Sequence, residues 1–578
     1  MKRQWVLCAL AVALGFAVYV QTLGYGFVYD DFPLIVDNEL LRDFSNLPEL
    51  FRLEDTIGDY GTGYYRPLVS VIDLIMYQGF GPQPFIFHLM SVFYHLVVVA
   101  LVFVLIKRVM GSAGAAFVGS LFVALHPINT ESVTFIAGKN NLQCAILLLS
   151  STLVYLRYRD SGALGWAVFS ALSYVLALLT KEFALVLPFV LLSYLFLTGE
   201  CRRQDLISFF VSILLIAGFL ALRSTVISGI GVELNFHDLP GRVLNSFEVL
   251  KNYMRLTLLP VGQKAIYTLR PGSLPVILSG ILAISALLVV AWRRRLEGWI
   301  VLSIFWYLGF LAPVSNVIPI GGAPMADRYM YISLIGAGIA AGGIYDRYLS
   351  GRRGRIVVAA ALTCLAILTV MRNPVWKNNR SLYTHMAISS PESYKGFYNL
   401  GNLYFNEGDY EKASRMWEIT LEKKPDMMAV YNNLGVAYER AGDYTKAEQF
   451  YRKLLTGHSN STVHSNLAKV LMKQGRLEEA SKSFEDAIAA GDDSDDLYMA
   501  YSEIYEQMGD KDKAVELLLS VSERKGGAWR LLNRAGSIEG ARGRLSEAEG
   551  LFVRALELNP GCKECLFNID LIKRLGAM

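Results

Sequence analysis

Residues 408–413 have the sequence Gly-Asp-Tyr-Glu-Lys-Ala, and their glycine–alanine spacing recurs along the last third of the chain. The steps between successive glycines are 34, 33, 34 and 34 residues. A glycine permits the tight turn between two helices, and an alanine five residues later lets the paired helices approach closely. The spacing predicts stacked helical hairpins, for which the glycines are Gly408, Gly442, Gly475, Gly509 and Gly543.

The period and the small residues are those of the tetratricopeptide repeat. We expect five repeats over residues 393–562, a C-terminal capping helix over residues 563–578, and a linker over residues 373–392. Five repeats exceed the roughly three that a self-supporting solenoid needs. Such solenoids present a concave groove that suits an extended peptide.

The part of the chain before the repeats is strongly apolar. Over the 578 residues, 53% are hydrophobic and only 18% are charged, which is too apolar for a soluble protein of this length. The sequence therefore predicts an all-α protein, with a polytopic helical membrane domain of about 11 spans before the solenoid. The net charge of +4 is too small to indicate nucleic-acid binding. The expected spans are residues 5–23, 84–106, 114–126, 141–156, 164–180, 183–198, 206–226, 273–292, 298–313, 329–346 and 355–371.

The basic residues indicate the orientation of these spans. They cluster in alternate connections, and the positive-inside rule assigns such connections to the cytoplasm. We therefore expect a multi-pass protein of the plasma (inner) membrane with a cytoplasmic N-terminus and an uncleaved first segment. An odd number of spans would put the repeats on the extracytoplasmic side. The clusters are Lys2–Arg3, Lys107–Arg108, Arg157 with Arg159, Arg202–Arg203, Arg293–Arg295, and Arg347 with Arg352, Arg353 and Arg355.

Asp30 and Asp31 lie a few residues after the first span, on the predicted outer side. Adjacent carboxylates beside a membrane are costly unless they have water, a cation or a function. One interpretation is a general base with a partner that orients a substrate or binds a metal. The other is a helix cap or a pair of loop residues where the chain leaves the membrane.

Further polar side chains fall on the same predicted side. A cation on the outer face can hold a lipid phosphate, whereas its ordinary role there is to anchor or snorkel at the interface. For a carboxylate or histidine the alternatives are a helix cap, a salt bridge or an incomplete metal site. The candidates for binding the phosphate of a lipid-linked donor, or another substrate, are Arg66, His126, Glu131, Lys139, Lys181, Glu182 and Arg328.

The motifs for other chemistries are weak. No P-loop, dinucleotide-binding, Ser-His-Asp or zinc motif stands out, and the cytoplasmic loops are too short for a nucleotide site. Cys562 and Cys565 form a lone C-x-x-C, for which a local disulfide and two free thiols both remain open. The sequence leaves a metal ion undecided, with a divalent cation as the one cofactor considered.

Together, the outer motifs and the repeats resemble the transmembrane and tetratricopeptide-repeat O-mannosyltransferases and their prokaryotic relatives. These belong to the GT-C class of membrane glycosyltransferases. The chain departs from the family at Lys139, where an arginine is usual, and at Asn129, where a second histidine is common. Apart from the repeats, the motifs that carry the resemblance are Phe27–Asp31, Tyr65–Leu68, Phe87–Leu89, His126–Val133, Gly138–Leu142, Thr180–Glu182 and Asp327–Tyr331.

The resemblance implies a GT-C-like glycosyltransferase domain over residues 1–372 and a polyprenyl-phosphate-linked sugar as donor. It implies that Asp30 deprotonates an acceptor hydroxyl, which then attacks the anomeric carbon with inversion. Asp31 would orient the acceptor or a cation. By the same analogy, Arg66, Lys139, Lys181 and Arg328 would neutralise the phosphate that leaves.

Three functions follow for the whole chain. The first is transfer of a sugar, mannose by analogy, to Ser or Thr of a protein or peptide held by the repeats. The second is transfer to a lipid-linked glycan or an envelope lipid, with the repeats recruiting partners. The third is a non-catalytic membrane scaffold, which requires neither the outer carboxylates nor the outer cations.

Overall fold

A computed structural model describes residues 2–52, 55–57, 60–227, 239–268, 297–317, 323–456 and 460–576. The described chain is helical apart from one antiparallel pair of short strands, Asp55–Ile57 and Tyr60–Tyr64. It divides into two compact units, Met1–Gly396 and Phe397–Met578. The all-α fold class is therefore confirmed.

Every predicted span within the described residues overlaps an α-helix, although some of these helices are shorter than the span, while the span at 273–292 lies outside the described residues. The helix Pro67–Phe80 was not expected as a span, and the helix Leu239–Leu258 lies between the predicted spans 206–226 and 273–292. The remaining helices of this unit are Lys2–Tyr19, Pro84–Met110, Ala113–Leu125, Thr130–Thr134, Asn140–Ser161, Leu164–Leu178, Leu187–Leu197, Arg203–Val226, Gly298–Leu311, Ser333–Ile344, Arg352–Arg372 and Asn379–Ser389.

Four of the described helices are long and apolar enough to cross a membrane: Gln4–Gly24, Pro84–Met110, Arg203–Val226 and Arg352–Trp376. A fifth candidate is the pair Ala113–Leu125 and Pro127–Thr134, which is bent by 48°. The bend falls at Pro127, which cannot donate a backbone hydrogen bond within a helix. The protein is thus a membrane protein by the length and composition of its helices, and the number of spans stays a prediction.

Small residues let the central helices of the first unit pack closely. A Cβ on Gly119 would lie 2.4 Å from the carbonyl oxygen of Gly338, and one on Gly342 would lie 2.5 Å from that of Ala115. Helices in membranes associate through such small-residue contacts because lipid gives no hydrophobic driving force between them. The close packing of Ala113–Leu125 against Ser333–Ile344 brings their polar ends together, and these ends carry candidate site residues.

The second unit is a stack of helix pairs. The five predicted glycines have φ between +76° and +84°, a left-handed conformation that glycine adopts without steric cost. The five alanines that follow them are fully buried, which confirms their predicted role at the contact between paired helices. The helices are Tyr394–Asn406, Tyr410–Lys423, Met428–Ala441, Tyr444–Leu455, Ser461–Lys473, Leu477–Ala489, Asp495–Gln507, Lys511–Arg524, Trp529–Ala541, Leu545–Leu558 and Lys563–Gly576.

Two further predictions concern the segments around the repeats. Cys562 and Cys565 form a disulfide, so the first of the two alternatives holds in the structure. Residues 373–392, expected as a linker, contain the turn Asn373–Trp376 and the helix Asn379–Ser389 within the first unit. The predicted domain boundaries themselves stay a prediction.

Candidate functional site

The acidic pair lies in a tight turn after the first helix. The backbone N–H of Asp31 donates to the carbonyl of Val28 at 3.0 Å. The Asp31 carboxylate accepts from the backbone N–H of Val28 at 2.9 Å and from that of Ala137 at 2.8 Å. Asp31 is fully buried, and burial raises its pKa to about 7, although the two donors act in the opposite direction. Both Asp31 oxygens are thus used to hold the turn against the segment around Ala137.

Asp30 has a different environment from its neighbour. Its side chain is partly exposed and forms no hydrogen bond or ion pair with any residue that the structure describes. Burial raises its pKa above the ordinary aspartate value, while the positive charges of Arg328 and Lys395 act to lower it. Asp30 is therefore the carboxylate of the pair that is available to a substrate.

The residue before Asp30 has a strained backbone. Tyr29 has a φ of +50°, in the left-handed region that bulky side chains rarely adopt. This conformation costs about 1–2 kcal/mol for a residue with a Cβ. The N–H of Tyr29 donates to the side-chain oxygen of Asn379 at 2.9 Å. Strain beside a carboxylate of this kind is a frequent feature of functional sites.

Arg328 is held by Glu131. The guanidinium of Arg328 forms an ion pair with the Glu131 carboxylate, and the backbone N–H of Arg328 donates to the other Glu131 oxygen at 3.0 Å. Glu131 is fully buried on the short helix Thr130–Thr134, whereas the Arg328 side chain is a quarter exposed. The arrangement presents a fixed cation at the edge of the site.

Two more cations lie near Arg328. Arg66 forms an ion pair with Glu182 at 3.0 Å, and its guanidinium stacks 3.9 Å above the Tyr64 ring. The Lys181 side-chain nitrogen donates to the side-chain oxygens of Asn141 and Asn140, and burial together with the charges of Arg66 and Arg328 lowers its pKa well below the usual lysine value. The structure therefore brings Arg66, Lys181 and Arg328 into one cluster, which we call the cation cluster.

Lys139 has a separate contact. Its ammonium forms a buried ion pair at 2.9 Å with Asp73, a carboxylate on the helix Pro67–Phe80. The charge of Lys139 also acts to lower the pKa of Asp31. Lys139 lies two residues after Ala137, whose backbone N–H donates to the Asp31 carboxylate. Lys139 therefore contacts residues that hold the turn of Asp30 and Asp31 in place. Its partner Asp73 was not among the residues that the sequence indicated. A lone carboxylate within an apolar helix was the available signal.

The His126 side chain forms hydrogen bonds with backbone groups. One ring nitrogen contacts the carbonyl of Thr257 at 3.1 Å, and the other accepts from the backbone N–H of Ile128 at 3.3 Å. These contacts hold the turn Pro127–Asn129 that leads to Glu131. Across the described ranges, no group of three or more His, Cys, Asp or Glu side chains is close enough together to hold a metal ion.

A further network adjoins the cation cluster and was missed by the sequence analysis. The Asp327 carboxylate accepts from the Tyr267 hydroxyl at 2.6 Å and lies 3.6 Å from the Arg372 guanidinium. Arg372 in turn donates to the ring nitrogen of His385 at 2.7 Å. This network fixes Asp327, the residue directly before Arg328, to the end of the last long apolar helix.

Comparison with known proteins gives two kinds of match. The tetratricopeptide-repeat family models match residues 398–462 and 471–534. A Caenorhabditis elegans protein O-mannosyl-transferase is 23% identical over 439 residues, which cover 72% of this chain and 62% of that protein. Human protein O-mannosyl-transferase TMTC3 is 24% identical over 638 aligned positions, covering 97% of this chain and 69% of the human protein.

A shorter match has higher identity. Protein O-mannosyl-transferase Tmtc2 of Drosophila melanogaster is 34% identical over 166 residues, covering 27% of this chain and 17% of the relative. The chain spans about three fifths to seven tenths of the length of the first two relatives. The resemblance predicted from the motifs is confirmed: the chain is similar, along most of its length, to proteins named protein O-mannosyl-transferases, and it carries tetratricopeptide repeats.

Proposed function

We propose that this chain is an integral-membrane glycosyltransferase that moves a sugar from a polyprenyl-phosphate donor to a hydroxyl acceptor. By similarity the sugar is mannose and the acceptor is Ser or Thr of a protein. One observation carries the proposal. The Arg328 guanidinium and the Lys181 side-chain nitrogen lie 5.2 Å and 5.6 Å from the centre of the same Tyr329 ring, and the charge of Arg328 lowers the pKa of the Asp30 carboxyl, so a base and a group of basic side chains would belong to one site.

The proposed reaction is a single displacement. Asp30 accepts the proton of the acceptor hydroxyl, and the hydroxyl oxygen forms a bond to the anomeric carbon of the sugar. The bond between that carbon and the phosphate oxygen breaks, and the lipid phosphate leaves with the electron pair. Because attack and departure occur on opposite faces, the configuration at the carbon is inverted.

The cation cluster would stabilise the phosphate as it gains charge. Fixed cations directed at developing charge contribute strongly to catalysis because they need no rearrangement during the reaction. Arginine suits this task through its planar, multiple N–H donors, and lysine acts as a point charge. Glu131 and Glu182 would keep Arg328 and Arg66 in place between turnovers.

We assign supporting roles to Asp31, Lys139 and His126 on the basis of their contacts. Asp31 would hold the turn that carries Asp30, and Lys139 would support that turn through Asp73 and its own charge. His126 would hold the backbone that leads to Glu131. In this proposal these three residues position the groups that touch the substrate.

The extracytoplasmic side is the proposed location of the site and the repeats. The alternation of basic clusters supports this orientation. The disulfide between Cys562 and Cys565 supports it independently, because disulfides persist in oxidising compartments and are rare in the cytosol. The repeats would then hold the protein acceptor.

The proposal is tested with the purified full-length chain in lipid nanodiscs. The assay supplies polyprenyl-phosphate-linked radiolabelled mannose with either unfolded polypeptides rich in Ser and Thr or a lipid-linked glycan. Label on the polypeptide supports the protein acceptor, and label on the glycan alone supports the second function. No transfer to either acceptor, in a preparation that binds the donor, would favour the scaffold.

A further inference from the structure

The turn that carries Asp30 depends on a residue far away in the sequence. Among the non-glycine residues that the structure describes, Tyr29 and Asn316 are the two with positive φ. Asparagine tolerates this conformation, whereas a tyrosine adopts it only where surrounding contacts require it. Tyr29 directly precedes Asp30, so its backbone angles set the direction in which the Asp30 side chain leaves the turn.

The contact that meets this requirement comes from the helix Asn379–Ser389. The side-chain oxygen of Asn379 accepts from the Tyr29 N–H at 2.9 Å. The ring of Tyr383, one turn later, meets the Tyr29 ring edge to face with 6.3 Å between centroids. Just before the helix, the carbonyl of Lys377 accepts from the N–H of Gly26 at 3.1 Å. The segment 377–383 therefore contacts the turn through both backbone and side chain.

The same helix is also connected, through hydrogen bonds and an ion pair, to the turn that carries Arg328. His385 accepts a hydrogen bond from Arg372 at 2.7 Å, and Arg372 lies 3.6 Å from Asp327. Burial and the neighbouring guanidinium lower the pKa of His385 to about 4, so its ring is neutral and can accept this bond. The helix Asn379–Ser389 thus contacts the turn that carries Asp30. Through Arg372 it also reaches Asp327, the residue before Arg328.

We propose that Asn379 is a positioning residue that holds Tyr29 in its left-handed conformation and thereby directs the Asp30 carboxylate toward the substrate. The inference rests on the proposed function for its catalytic consequence. It adds a residue that lies outside the motifs shared with the family, in a segment that the sequence predicts as a linker. Without the acceptor oxygen of Asn379, the Tyr29 N–H loses its partner and the turn can relax to an unstrained conformation.

Two substitutions at one position test the proposal in full-length protein. Asn379→Leu keeps the size of the side chain but cannot accept a hydrogen bond, whereas Asn379→Asp keeps an acceptor oxygen in the same place. We expect Asn379→Leu to lower kcat roughly 10–100-fold with the KM for the donor unchanged, since displacing a catalytic group by about 1 Å has an effect of this order. Asn379→Asp is expected to retain most of the kcat at a pH where Asp30 is ionised. Equal losses in both variants, or no loss in Asn379→Leu, would overturn the proposal.

A second measurement does not depend on sugar transfer. In a background with Cys201 and Cys364 replaced by serine, the variant Asp30→Cys is treated with a water-soluble maleimide, with and without Asn379→Leu. A several-fold change in the modification rate is expected if Asn379 sets the direction of residue 30, and an unchanged rate contradicts it. A changed rate, found when the chain with Asp30 intact transfers no sugar, would reject the proposed function while leaving the positioning role of Asn379 intact.

Discussion

Glu131 and Arg328 are 197 residues apart in the sequence and form a two-point contact, in which one carboxylate accepts from both the guanidinium and the backbone N–H of the same arginine. The contact fixes the main chain as well as the side chain of Arg328. It joins the short helix Thr130–Thr134 to the turn Asp327–Met330. Arg328 is consequently held in one place before any substrate binds, as a preorganised electrostatic site requires.

Removal of Glu131 is expected to destabilise the protein. Glu131→Ala leaves the Arg328 charge without its partner in a largely buried site, and breaking such a pair costs several kcal/mol when both groups are buried. Because Arg328 is a quarter exposed, we expect a smaller loss of about 2 kcal/mol in the free energy of unfolding. Unfolding in detergent, followed by tryptophan fluorescence, measures it.

The matched control is Asp160→Ala, which breaks an ion pair with Arg108 in which both side chains are about half exposed. Exposed pairs contribute about 0–1 kcal/mol. The account of Glu131 fails if both substitutions change the free energy of unfolding by the same small amount.

The pair formed by Lys139 and Asp73 allows a double-mutant cycle. Each single variant, Lys139→Met or Asp73→Leu, leaves one charge buried without a partner and should cost about 3–5 kcal/mol of stability. The double variant removes both charges, so we expect it to be more stable than either single variant. Thermal or denaturant unfolding of the four proteins measures the coupling. Additive losses would mean that the ion pair does not determine the role of Lys139.

The pH dependence of the rate reports on Asp30. A base must be ionised, so the rate should rise with pH, and burial raises the Asp30 pKa above the ordinary value of about 3.9. Lys395 lowers this pKa through its charge. We therefore expect Lys395→Gln to move the acid limb of kcat/KM to higher pH, with little loss of rate on the plateau.

The control for this shift is Lys573→Gln, on the exposed side of the last helix. It removes the same charge from a helix of the repeat unit and should leave the acid limb where it is. Coincident profiles for the wild type and Lys395→Gln would contradict the assignment of the limb to Asp30.

The helices and the repeats were predictable because each is recorded locally in the sequence. Hydrophobic runs mark Pro84–Met110, and the glycine–alanine spacing marks the turns and contacts of the repeats. Arg66, Lys139, Lys181 and Arg328 were noticeable in the sequence because each is a cation on the predicted outer side, where the positive-inside rule disfavours it.

The contacts between distant segments were not predictable in the same way. No local pattern records that Asn379 meets Tyr29, 350 residues earlier, or that Arg372 reaches Asp327. The sequence predicts a linker over residues 373–392. In the structure these residues pack against the acidic turn, and tertiary contacts rather than periodicity give them their conformation.

The orientation of the chain can be tested with two exposed residues. In a background with Cys201 and Cys364 replaced by serine, Lys473→Cys puts a thiol on a repeat helix and Arg353→Cys puts one in a predicted cytoplasmic cluster. A membrane-impermeant maleimide added to intact spheroplasts should label the first and label the second only after lysis. Labelling of Arg353→Cys alone in intact spheroplasts would reverse the proposed orientation.

The most direct test of the central claim compares Asp30→Asn with Asp37→Asn in the reconstituted transfer assay. Both variants remove one carboxylate from the same segment after the first helix, and Asp37 is exposed at the end of the turn Phe32–Val36. The account predicts that Asp30→Asn abolishes sugar transfer while its expression, membrane insertion and donor binding stay at the wild-type level, and that Asp37→Asn remains active. Full transfer by Asp30→Asn would contradict the assignment of Asp30 as the base.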